Sequence, residues 1–231
     1  MSKKKPELYI VHGWTTTTDN WQKTLGYLRD RHNIKVHFLN VPGLTTTEEK
    51  EYTIKDYANW ASKTIPPDAI VLGHSNGGRI LMNAVVSRKL KPKKLILLNS
   101  AGVYYRSWKA RAFMIVARWL GWAVSKDSGI RTCVRRLARA SDYAKANEGM
   151  KCTLENMIES DRDFDFSKVN VPTNIIWGSR DKFTPLKQGR KIAAGIPNNT
   201  FEVIEGWGHS PYYTNPAALA TKIAEKVKAA E

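Results

Sequence analysis

The stretch Gly73-His74-Ser75-Asn76-Gly77-Gly78 decides how this chain is read. It follows the apolar run Ala69-Ile70-Val71-Leu72 and precedes a helical pattern from Arg79 to Ser87. The implied order is strand, tight turn, helix, with a serine at the turn. Gly73 and Gly77 stand two residues either side of Ser75, where so sharp a turn leaves no room for side-chain bulk. The turn lifts the hydroxyl above the end of the strand and aims the next helix N-terminus at whatever binds there. A glycine-rich strand–helix turn without chemistry has the same five-residue pattern, so the rest of the chain has to supply a base and an orienting acid.

Working outward, Glu7 to Val11 reads as a short buried strand ending in His12-Gly13-Trp14. Asp19 is a plausible N-cap for a helix with Trp21, Leu25 and Leu28 at helical spacing. Ile34 to Leu39 is a second strand, and Thr53 can cap a helix bearing Tyr57 and Trp60. Ala69 to Leu72 is the third strand and Lys94 to Leu98 the fourth, the latter followed by Asn99-Ser100-Ala101-Gly102. Alternation then stops: residues 103–168 carry helical and no strand pattern. It resumes with a strand at Thr173 to Trp177, a helix near Leu186 to Ala194, a strand at Thr200 to Ile204 and a helix from Pro216. Six short apolar strands alternating with helices imply an α/β fold with a mostly parallel sheet covered on both faces. The expected organisation is a core of residues 1–102 and 169–231 with a helical cap, 103–168, inserted at a strand end.

The 231 residues suffice for one such domain with an insertion. Cys133 and Cys152 match no metal spacing and read as free thiols in a reducing compartment. The start of the sequence is charged and shows no signal-peptide core. The longest nearly apolar stretch, Ala112 to Val124, is interrupted by Arg118 and too short to span a bilayer. A cytoplasmic location is the expectation. The net charge of +16 raises anionic partners, but no nucleic-acid-binding motif accompanies it.

A serine nucleophile needs partners, and two candidates lie at strand ends. His209 follows the last strand in Glu205-Gly206-Trp207-Gly208-His209-Ser210, and Asp181 follows the fifth in Gly178-Ser179-Arg180-Asp181. Serine is a poor nucleophile until a base takes its proton. A histidine can take and return one near neutrality, and a carboxylate holds the imidazole tautomer.

With Gly-x-Ser-x-Gly at 73–77, Gly-x-x-Asp at 178–181, Gly-His at 208–209 and His-Gly-Trp after the first strand, the sequence resembles the α/β-hydrolase fold family over nearly its whole length. The resemblance implies Ser75 as nucleophile, His209 as base and Asp181 as orienting acid, with the backbone N–H groups of Asn76 and Trp14 as oxyanion donors. It departs from the family in lacking the usual first antiparallel strand pair. Asn76 also stands where an apolar residue is commoner. A serine at the elbow argues against dehalogenase and epoxide-hydrolase chemistry.

His12 and His74 sit inside the two loops and read as structural. Asp161, Asp163 and Asp165 read as a solvated linker returning from the cap. Residues 101–140 hold nine Lys/Arg against Asp127 alone, half the net charge of the chain, interleaved with Trp108, Trp119 and Trp122. That pattern fits a lid whose apolar face, with Trp119 and Trp122, lines the pocket. It also fits a helix on anionic membrane, or selectivity for anionic substrates. The functional expectation is a serine hydrolase for carboxylic esters or lactones of small to medium size, needing no metal or cofactor. Carbon–carbon bond hydrolase, perhydrolase and non-catalytic ligand-binding protein are the alternatives. Oligomeric state is not legible.

Overall fold

The computed structural model describes residues 5–14, 16–44, 50–104 and 147–229. Six strands form one sheet: β1 (Glu7–Val11), β2 (Lys35–Leu39), β3 (Ile70–His74), β4 (Lys94–Leu98), β5 (Thr173–Gly178) and β6 (Asn199–Ile204). Their order is β2-β1-β3-β4-β5-β6 and every pairing is parallel. The described helices are α1 (Thr18–Asp30), α2 (Ile54–Thr64), α3 (Asn76–Val86), α4 (Glu148–Glu159), α5 (Leu186–Gly195), the single turn α6 (Pro211–Thr214) and α7 (Pro216–Lys228). A 3₁₀ turn, Phe166–Lys168, precedes β5.

Side chains alternate across a strand, so each strand feeds two cores. Val11, Val71, Leu95, Leu97, Ile175 and Trp177 pack on one face with Tyr57, Ala58, Ile80 and Ile192 from α2, α3 and α5. Leu8, Ile10, Leu72, Ile96, Leu98 and Ile176 pack on the other with Trp21, Leu28, Leu219 and Ile223 from α1 and α7. Covering both faces is what the near-continuous apolar strands require.

The strand order has a consequence for the site. The chain runs outward from β1 to β2, then crosses back past β1 to β3. The reversal falls between β1 and β3, and Val11 of β1 is in register with Gly73 of β3. In open parallel sheets a crevice forms at the carboxyl ends of strands at such a reversal. The end of β1 carries Gly13-Trp14 and the end of β3 carries Ser75.

Three expectations need correction or limits. Helix α1 begins at Thr18 with Thr17 as N-cap, two residues earlier than Asp19. The Asn20 side chain accepts from the Thr17 N–H at 3.0 Å, while Asp19 sits in the first turn, where the helix dipole favours its charge. Asp163 and Asp165 are exposed, but Asp161 is buried, so the acidic run is not a solvated linker throughout. The reason is Arg79: a buried guanidinium cannot shed its proton, and Asp161 supplies the compensating carboxylate. Of the segment 103–168, residues 105–146 lie outside those described, and Cys133, Trp119, Trp122 and the basic residues of the expected lid lie there too. Among the described residues no helix is long and apolar enough to cross a membrane. Thr53 does cap α2, accepting from the Asp56 N–H at 3.3 Å while the Asp56 carboxylate accepts from the Thr53 N–H at 2.8 Å.

Candidate active site

Ser75 caps α3 with φ 54° and ψ −119°, a backbone region that residues bearing a Cβ seldom occupy. The neighbours over-determine it. The Ser75 N–H donates to Leu98 O at 3.2 Å, and the Ser75 carbonyl accepts from the Ala101 N–H at 2.9 Å and the Gly78 N–H at 3.1 Å. A Cβ on Gly73 would lie 2.5 Å from the Gly78 Cα, and one on Gly77 would run into the Val11 carbonyl. The two glycines are therefore required by contact with backbone, as the sharp turn demands.

The structure brings Ser75, His209 and Asp181 together from the ends of β3, β6 and β5. His209 Nε2 lies 3.1 Å from Ser75 Oγ, and His209 Nδ1 lies 2.7 Å from Asp181 Oδ2. With the carboxylate accepting at Nδ1, the Nε2 lone pair faces the serine hydroxyl. The Asp181 side chain is fully buried and that of His209 is 14% exposed. Asp181 Oδ1 also accepts from the backbone N–H groups of Phe183 at 2.7 Å and Thr184 at 2.9 Å, and Oδ2 from the Thr184 hydroxyl at 2.7 Å. Burial alone pushes the Asp181 carboxyl up. The bond and charge of His209, with the Thr184 contacts, outweigh it and leave Asp181 below the usual carboxylate range.

The expected oxyanion donors are the N–H groups of Asn76 and Trp14. Asn76 is the first residue of α3, where backbone N–H groups have no partner within the helix. Gly13 abuts the nucleophile: a Cβ there would sit 2.9 Å from Ser75 Cβ, so the peptide leading to Trp14 runs beside Ser75.

His12 and His74 are fully buried and bonded to backbone. His12 Nδ1 donates to Gly13 O at 2.7 Å and its Nε2 accepts from the Val41 N–H at 3.1 Å. His74 Nε2 donates to His209 O at 2.9 Å, and its ring lies 4.9 Å from that of His209. Burial first, and the adjacent His209 second, depress His74 to about 3. A group so held neutral supports the base loop.

Sequence reasoning passed over three residues. Asn99, fully buried with φ 44°, spans two loops: its Nδ2 donates to Gly208 O at 2.9 Å and His209 O at 3.0 Å, and its Oδ1 accepts from the Gly178 N–H at 2.8 Å. An asparagine immediately after a strand is the signal available, since asparagine tolerates positive φ. Thr184 steadies Asp181, and Arg79 ties Asn76 to Asp161; neither leaves a mark at the level of motif. Among the described residues no cluster could hold a metal ion.

The profile of the alpha/beta hydrolase family matches residues 8–222. The chain belongs to that family. It is 24% identical to the uncharacterized hydrolase YugF of Bacillus subtilis (strain 168), over 96% of this chain and 89% of that protein. It is 22% identical to the pimeloyl-[acyl-carrier protein] methyl ester esterase of Aromatoleum aromaticum, over 97% of this chain and 99% of that one. In fold it is similar to the monoacylglycerol lipase of Paleococcus ferrophilus, with a TM-score of 0.67 at 16% identity, over 98% of this chain and 96% of the lipase. The relatives point to a hydrolase of esterase type.

Proposed function

We propose that this alpha/beta hydrolase is a serine esterase, cleaving carboxylic esters or lactones of small to medium size through an acyl-enzyme. The observation that carries the reading is the continuous hydrogen-bonded line from Asp181 through His209 to Ser75 Oγ, at 2.7 and 3.1 Å. His209 Nε2 takes the hydroxyl proton as Ser75 Oγ attacks the ester carbonyl. The N–H groups of Asn76 and Trp14 receive the developing oxyanion, a role in which losing one donor typically costs roughly a hundredfold or more. His209 then returns the proton to the departing alcohol. Water, activated by the same imidazole, releases the acid. Asp181, ionised and bound at Nδ1, keeps the ring in its tautomer and stabilises the imidazolium. A methyl ester esterase, as the Aromatoleum relative is named, belongs to the same reaction class.

The test pairs turnover with labelling. The protein is assayed on p-nitrophenyl esters of graded chain length and on a set of lactones, then treated with a serine-directed phosphonate. The expected outcome is hydrolysis of at least one series, and one label, on Ser75. In Ser75→Ala both disappear while the fold persists, a loss on the order of a millionfold in kcat. Labelling that survives in Ser75→Ala would overturn the assignment.

A further inference from the structure

Arg79 is an arginine almost wholly removed from water, three residues after Asn76 on α3. Each of its three nitrogens donates a hydrogen bond. Nε donates to Asp161 Oδ1 at 2.9 Å, Nη2 donates to Asp161 Oδ2 at 2.7 Å, and Nη1 donates to the side-chain Oδ1 of Asn76. The side chains of Arg79 and Asp161 are 6% and 1% exposed. Asp161 follows α4, on the stretch that brings the chain from the insertion back to β5. Such a pair gives little net stability over apolar residues of similar volume, because desolvating two charges offsets their attraction. Its value has to be sought in what it positions. One end of the line is the residue next to Ser75, and the other is the returning segment.

We propose that Arg79 and Asp161 are positioning residues that act through the Asn76 side chain, fixing the backbone N–H of Asn76 where the oxyanion forms. The inference rests on the serine esterase reading. The Ser75 carbonyl is pinned from three sides, by the N–H groups of Gly78, Arg79 and Ala101. That carbonyl and the Asn76 N–H share one peptide plane, so the anchor still needed is the plane's far end, Asn76 Cα, from which the side chain held by Arg79 departs. Holding its side chain limits rotation about that position. A planar fork can serve Asp161 and Asn76 together, which a lysine point charge cannot. The line also links how the returning segment is seated to how a transition-state donor is held.

The experiment uses Arg79→Met/Asp161→Leu, which removes both charges together and strands neither, beside Arg79→Lys, Asn76→Ala and the triple variant. Thermal unfolding, kcat, KM and the affinity of an alkyl boronic acid are measured for each. The boronate forms a tetrahedral adduct on a serine and so reports the oxyanion site. The paired variant is expected to keep its unfolding temperature, to lose about ten- to a hundredfold in kcat, and to hold KM within about twofold. Boronate affinity should fall in step with kcat/KM, since both report the tetrahedral state. Asn76→Ala should reproduce the loss, and the triple variant should fall no further, as residues acting along one line are not additive. Arg79→Lys should fold and show a partial loss, so it carries the test if the paired variant does not fold. Wild-type kcat and boronate affinity in the folded variants would make the pair structural only. Losses that multiply in the triple variant would show Arg79 acting by another route than Asn76. A wild-type protein that hydrolyses no ester and takes no label would sink the esterase reading itself, and with it this inference; a wild type that does both, with variants unaffected, would sink this inference alone.

Discussion

The loops at the ends of β3, β5 and β6 and the returning segment 147–168 both reach the first turn of α3, through His209 on Ser75 and Asp161 on Arg79, yet they are held by different means. The loops are held mainly by backbone. Gly73 and Gly77 touch main chain, Ser75 shares its carbonyl among three N–H groups, and the Asn99 amide bonds three peptide groups at once. The segment is held mainly by side chains: Met157 in the core, Asp161 on Arg79, and Thr153 on the Tyr52 N–H at 2.9 Å. Backbone ties fix atoms within tenths of an ångström and tolerate almost no substitution. Side-chain ties can be exchanged one at a time, each at its own modest cost. Large functional effects are therefore expected from the loops and small, separable ones from the segment.

Asp181→Asn is the severest trial of that contrast that leaves the shape unchanged. An amide oxygen can still accept from the Phe183 and Thr184 N–H groups, so the loop should stay folded. The imidazole would be offered the wrong tautomer, and kcat should fall by about ten-thousandfold. Steady-state kinetics on the best ester decides it. Near-wild-type turnover in Asp181→Asn, with a large loss from changing Asp163 or Asp165, would move the acid out of the loops and break the comparison.

A second trial uses pH and reads stability. His74 is depressed from 6.5 to about 3 in the folded protein by burial and by His209. Below pH 6.5 the unfolded chain takes a proton at this position and the folded one does not. The contribution is thus fully present above about 6.5 and is lost as pH falls toward 3, at up to about 1.4 kcal/mol per pH unit. His12, lowered by burial, acts with the same sign. Urea unfolding between pH 4 and 8 should show this acid limb, and His74→Gln should make it shallower without abolishing it. A limb of unchanged slope in His74→Gln would mean that the buried ring is not what resists the proton.

The same contrast explains what could be read without coordinates. Strand–helix alternation and the positions of Ser75, Asp181 and His209 after strands are local patterns: apolar runs, glycine spacing and chain order. The all-parallel sheet and the approach of the three side chains follow from them. Asn99, Thr184 and Arg79 were not legible, because what matters about each is a partner fixed only by the finished fold; Asn99 bonds a loop 109 residues away. Asp161 was misread for a related reason. Among neighbouring aspartates, composition favours solvent, and nothing local reveals that one of them turns inward to a buried arginine. The N-cap of α1 shifted by two residues because Thr17 and Asn20 make a better reciprocal pair than Asp19 can.

The smallest effect belongs to the segment. Thr153 is fully buried in α4, and its hydroxyl accepts from the Tyr52 N–H just before the cap of α2. Thr153→Val keeps the branched shape and removes the acceptor. The loss should be that of one intramolecular hydrogen bond, about 1 kcal/mol, since α4 remains anchored by Met157 and by the Asp161–Arg79 pair. Chemical unfolding should show a lower midpoint with unchanged slope, and kcat on esters should stay within about twofold. If Thr153→Val instead lowers kcat tenfold at unchanged stability, the segment does not respond contact by contact. Its seating at Thr153 would then be felt at Ser75 as strongly as a change in the loops, and the division between backbone-held and side-chain-held regions would fail.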